Sequence, residues 1–203
     1  MVWLMQTLIT AVVAFAATNL DDIVMLMLLF SQVPARFSPR QIVLGQYLGL
    51  AVLVGLSLPG FFGGLVLPKP WLGLLGIVPI AIGCNLWLGK ASEAAVPGIK
   101  PVSLPGLSPP LATVAALTVA NGGDNIGVYV SLFAGQTWGT LGLTLLTFAG
   151  LVGVWCYTAY ALVQHPAVGD RLTQYGHYLV PPVLMGLGLF ILIENKTYQL
   201  LNG

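Results

Sequence analysis

Charge is nearly absent from this chain. Asp, Glu, Lys and Arg make up 6% of 203 residues, against roughly a quarter in a soluble globular domain. So few charged side chains cannot cover a soluble protein of this size. Basic clusters are missing too: net charge is +1, which leaves no footprint for nucleic acid. Cysteine is scarce. Cys84 and Cys156 both lie in apolar runs, which is no secreted disulfide framework. No GxxxxGK[ST] loop occurs, so nothing in the chain marks ATP as a driver. Met1 to Gln6 contains no Lys or Arg. The first segment therefore lacks the basic start of a signal peptide, despite the small-x-small Ala14-Phe15-Ala16, and reads as a mature helix.

What is there is apolar length. Hydrophobic residues make up 57% of the chain, and mean hydropathy is +0.92. Six segments stand out: Val2–Phe30, Gln41–Leu67, Trp71–Leu88, Leu111–Ala134, Gly139–Val163 and Tyr178–Ile193. Each approaches the roughly 20 residues that cross about 30 Å of hydrocarbon. They do not alternate polar with apolar residues, so helices are expected and a barrel is not. The longest connection, GKASEAAVPGIKPVSLPGLSPP, holds five prolines between Pro97 and Pro110. It divides the chain into a first three-helix repeat (1–90), a linker (91–110) and a second three-helix repeat (111–203). Loops on one side carry Arg36, Arg40, Lys90, Lys100 and Arg171, and the other side carries Lys69 and Lys196. The excess places the linker in the cytoplasm and both termini outside.

The halves resemble each other. ATNLDDIVMLMLLF and ANGGDNIGVYVSLF align at an offset of 103 residues, Asp21 on Asp124. The same offset carries Thr18 to Asn121, Asp22 to Asn125, Pro79 to Pro182 and Gly83 to Gly186. Three helices per half is an odd number, so the second half must cross in the opposite sense. The expected fold is an all-α integral membrane protein of six transmembrane helices, built as two inverted three-helix repeats. Such designs place their site near the midplane, between the repeats.

Asp21, Asp22 and Asp124 are the only charged residues well inside these segments. Each costs roughly 2.5–3.5 kcal/mol at mid-bilayer, and no Lys, Arg or His lies in the runs to neutralise it. Protonation or a bound cation would relieve that cost. Thr18, Asp21 and Asp22 stand at i, i+3 and i+4, on one face of a helix. Asn121, Asp124 and Asn125 repeat the spacing. Facing each other, the two trios would form an oxygen-rich cage for a divalent cation. Gly122 and Gly123 lower helix stability beside Asp124, so ANGGDN is expected to unwind locally. Gln46, Tyr47, Asn85, Thr144 and Thr147 are expected to bond between helices. Met25 and the two cysteines are expected to pack.

TNLDD (18–22) with NGGDNIGVY (121–129) resembles the cadmium-resistance transporter family (CadD type), within the LysE superfamily of exporters. The resemblance spans essentially the whole chain. It implies a membrane exporter of divalent metal, cadmium first, by proton exchange. It also carries metal handling onto Asp21, Asp22, Asp124 and Asn125, and onto Asn19 and Asn121. The oxygen donors look hard for cadmium, which keeps manganese, calcium or another divalent ion open.

The expected function is proton-coupled export of a divalent cation. Thr18 joins the carboxylates and amides as a ligand, and the metal is cargo rather than cofactor. The expected partners are that ion, protons and the lipid bilayer, with no nucleic acid; a homodimer is compatible with the reading. The expected location is a prokaryotic inner or plasma membrane, and no enzyme activity is expected. Two rivals stand beside it. One is an exporter of a basic amino acid or other organic cation. The other is a thiol-redox membrane protein passing electrons between Cys84 and Cys156.

Overall fold

The computed structural model describes residues 2–20, 22–33, 37–66, 71, 74–88, 102–164 and 181–201. Among these every regular element is a helix. The first apolar segment divides into α1 (Val2–Asn19) and α2 (Asp22–Phe30), bent by 62° at the break. Next come the long α3 (Pro39–Val66) and, after a 3-10 turn at Leu74–Gly76, the short α4 (Ile77–Trp87). The order then recurs. A broken pair, α5 (Pro109–Asn121) and α6 (Gly123–Ala134), precedes the long α7 (Trp138–Val163) and the short α8 (Pro181–Glu194). Each set of three segments thus reads broken, long, short.

Local chemistry sets several boundaries. Ser108 stands at the N-cap of α5 in an extended conformation, with Pro109 first in the helix. Proline suits that position because its missing N–H has no intrahelical partner there. Thr137 and Thr140 form a reciprocal capping box at the start of α7. The α5–α6 break falls at Gly122, as the glycine pair leads one to expect; the Gly122 N–H still bonds the Thr118 carbonyl.

Six full-length spans were expected. Among the described residues two continuous helices, α3 and α7, are long and apolar enough to cross a membrane, and α1 with α2 makes a third if the bent pair counts as one. Apolar content counted along the sequence merges α5 with α6 and does not see the interruption. The expected start of the sixth segment at Tyr178 lies outside the described residues, as does much of the Pro-rich linker.

The long helices change halves. α3 packs along α5 and α6, while α7 packs along α1 and α2. Two glycine pairs make the first contact intimate. A Cβ at Gly45 would fall 2.5 Å from the Val114 Cβ, and one at Gly49 would overlap the Thr118 side chain. Further on, Cβ atoms at Gly60 and Gly64 would overlap the carbonyls of Val130 and Ala134. Glycines four apart thus remove the side chains that would hold the helices off. The first pair seats α5 and the second seats α6. Behind them Phe15, Tyr129, Phe133 and Phe148 form an aromatic core at centroid separations of 4.8 to 6.3 Å. Large apolar side chains such as Ile9, Leu44, Leu56 and Leu146 point outward, as lipid requires.

Candidate functional site

The two helix breaks meet inside the bundle. Asp22 begins α2 and is 1% exposed; Asn121 ends α5. The Asn121 amide donates to Asp22 Oδ1. Asn125, on the first turns of α6, donates to Asn19 Oδ1 over 3.3 Å. Each bond joins one broken pair to the other. Tyr129, wholly buried on α6, brings its hydroxyl within 3.3 Å of Thr18 Oγ1 and 2.9 Å of Asn19 Nδ2, and both donate to it. The Ala14 carbonyl, 3.0 Å from Thr18 Oγ1, is an alternative acceptor for that one hydroxyl proton.

Five of the seven expected residues therefore lie at the two breaks in two hydrogen-bonded sets: Thr18, Asn19 and Asn125 with Tyr129, and Asp22 with Asn121. Asp21 lies outside the described residues. Asp124 sits on α6, but its side chain lies outside the described atoms. Among the described residues no three of His, Cys, Asp or Glu come together. One premise needs correction: Thr18 and Asp22 do not share the face of one helix. The helix breaks between Asn19 and Asp22, so Thr18 bonds toward Tyr129 while Asp22 accepts from Asn121 and Gln46. Nothing in NLDD announces that break, since it contains neither Gly nor Pro.

Besides Tyr129, three residues join the site that spacing did not select. Gln46, buried on α3, donates its amide to Asp22 Oδ2 over 3.3 Å. Its carbonyl oxygen accepts from Thr118 Oγ1 on α5 at 2.7 Å. Trp155, on α7, donates its indole N–H to the Asn19 carbonyl at 2.6 Å. That carbonyl ends α1 and has no helical partner of its own, so the indole closes the break. Gln46 was expected to bond between helices, and it does, with a site carboxylate as its partner. Tyr47 also meets that expectation, donating to the Ala149 carbonyl at 2.8 Å. Thr147 bonds within its own helix instead, to Leu143.

Met25 packs in the apolar core. Cys84 and Cys156 are both free thiols, so no disulfide links them. Cys156 is 3% exposed on α7, within electrostatic reach of Asp22.

Chemically, the site is a buried cluster of oxygens and amides around at least one carboxylate, held by six helices, α1, α2, α3, α5, α6 and α7. A family model described as cadmium resistance transporter matches residues 15–202. The chain belongs to the cadmium resistance transporter family. No curated protein and no solved structure matches it. A transporter family and long apolar helices together make it an integral membrane protein, with metal efflux as the family's theme.

Proposed function

We propose that this chain exports a divalent cation, cadmium first, in exchange for protons, through a site centred on Asp22. The carrying observation is the meeting of two broken helices at a buried carboxylate. Broken spans expose backbone and polar side chains at membrane depth, where transporters bind their cargo. A buried acid in such a place marks an ion path.

Thr18, Asn19, Asp22, Asn121 and Asn125 supply oxygens of the kind that divalent cations take. Asp21 and Asp124 join them in the proposal through the repeated motif. Three carboxylates would balance a 2+ ion with one charge to spare, which gives a proton a place to ride. Ligands must shed protons to bind metal, so metal and proton occupancy oppose each other. The inverted arrangement of the halves belongs to the same proposal. The exchange of long helices between halves supports it, because a pseudo-two-fold would relate those two contacts.

In proteoliposomes with an imposed pH gradient, wild type should move Cd2+, and collapse of the gradient should slow it. Asp22→Asn, Asp21→Asn and Asp124→Asn should each abolish flux. Undiminished transport by Asp22→Asn would sink the proposal. Lysine flux in place of metal flux would favour the organic-cation reading.

A further inference from the structure

Gln46 does more than fill a gap between helices. Its amide stands between a carboxylate and a hydroxyl, donating to Asp22 Oδ2 and accepting from Thr118 Oγ1. Gln46 is 3% exposed and Thr118 1%, so water does not compete for these bonds. The two ends of a glutamine amide have nearly the same shape and opposite hydrogen-bonding character. Half a turn about the terminal bond exchanges them without changing volume. Tight packing therefore does not oppose the turn, and only the loss of partners would.

Thr118 removes that obstacle. Its hydroxyl carries one proton and faces two acceptors, Gln46 Oε1 at 2.7 Å and the Val114 carbonyl of its own helix at 3.0 Å. With the proton on Gln46 Oε1, the amide N–H is aimed at Asp22. With the proton on the Val114 carbonyl, the threonine oxygen can accept the turned amide N–H, and Oε1 is aimed at Asp22 instead. Every group keeps a partner at the Thr118 end in both settings. A carbonyl aimed at a carboxylate is repelled unless a positive charge lies between them.

Resting on the cation-transport reading, we infer that Gln46 is a ligand of the transported cation, which turns its amide to offer Oε1 beside Asp22, with Thr118 as the positioning residue that permits both settings. The close seating of α5 on Gly45 and Gly49 holds the Thr118 hydroxyl in reach of the amide. Thr118→Val keeps the shape and removes the exchangeable proton. Thr118→Ser keeps the proton.

The test is binding of Cd2+ and Mn2+, measured separately by calorimetry on the full chain in detergent micelles. Gln46→Met replaces the amide oxygen with a soft sulfur. It should raise the ratio of Cd2+ to Mn2+ affinity by about tenfold, because thioether favours the softer ion. Thr118→Val should weaken both ions by about tenfold, the scale of one lost buried hydrogen bond, and Thr118→Ser should stay near wild type. Equal losses for both ions in Gln46→Met would overturn the inference and leave the transport reading standing, since Gln46 would then act only through Asp22. Wild-type affinity in Thr118→Val would overturn it as well. Should Gln46→Met not fold, wild type labelled with 13C-glutamine decides: Cd2+ should move a glutamine side-chain carbonyl stretch in the infrared, and an unmoved band overturns the inference. No binding of either ion by wild type would remove both readings.

Discussion

Asp22 is held by donors from two other helices, Gln46 of α3 and Asn121 of α5. A buried carboxylate that accepts amide N–H groups keeps its charge more cheaply than a bare one. The residue that ends α1 shows the same concern for satisfied groups. Its carbonyl, otherwise an orphan in a dry interior, accepts from the Trp155 indole. Trp155→Phe retains an aromatic edge on Phe15, where the rings now lie 5.3 Å apart at 89°, and deletes only the donor. Loss of about 1–3 kcal/mol of stability is expected, read as a lowered thermal unfolding midpoint in detergent. Metal uptake should fall with it, because the break that shapes the site loses its closure. Asp22 and the asparagines of this site were legible in the sequence, since acid in an apolar run attracts notice. Gln46, Thr118 and Trp155 were not. Each is an ordinary residue for a membrane helix, and only the register of one helix on another brings it to the breaks.

At the level of elements, α3 is the seam. Its neighbouring glycines Gly63 and Gly64 make a sharp comparison. A Cβ at Gly63 meets nothing within 4 Å, whereas one at Gly64 would overlap the Ala134 carbonyl. Backbone cannot swing aside as a side chain can. Gly64→Ala should therefore destabilise by about 1–3 kcal/mol. Gly63→Ala should be neutral or stabilise by up to about 1 kcal/mol, as alanine suits a helix better. Thermal unfolding of the two variants in one detergent separates these outcomes; equal behaviour would refute the seam. The partner of these glycines is not written in the sequence, because a pattern of small residues says that something approaches without saying what. The α5–α6 break was visible for the opposite reason: Gly122 and Gly123 weaken the helix by themselves. The α1–α2 break has no such local cause and depends on its surroundings, Trp155 among them.

For the whole molecule, the exchange of long helices makes each half incomplete. α3 covers the broken pair of the second half, and α7 covers that of the first. Neither half can close its own apolar faces. A chain cut within residues 91–100 should accordingly yield two fragments that co-purify when co-expressed and bind Cd2+ together, while each alone aggregates. Stable, separate halves would contradict that interdependence. The architecture was readable in outline as helical. Span lengths were not, because a hydropathy count registers how apolar a segment is and not whether its backbone bends.

The indole at the α1–α2 break also gives the protein a built-in optical probe. Of its five tryptophans, Trp3, Trp71, Trp87 and Trp138 are exposed. Trp155 alone is partly buried, and its ring nitrogen is tied to the bend itself. Replacing the other four with phenylalanine would leave a single native fluorophore at the joint. Opening or closing of that joint during a transport cycle then becomes a change in emission colour, readable in real time without attaching a label.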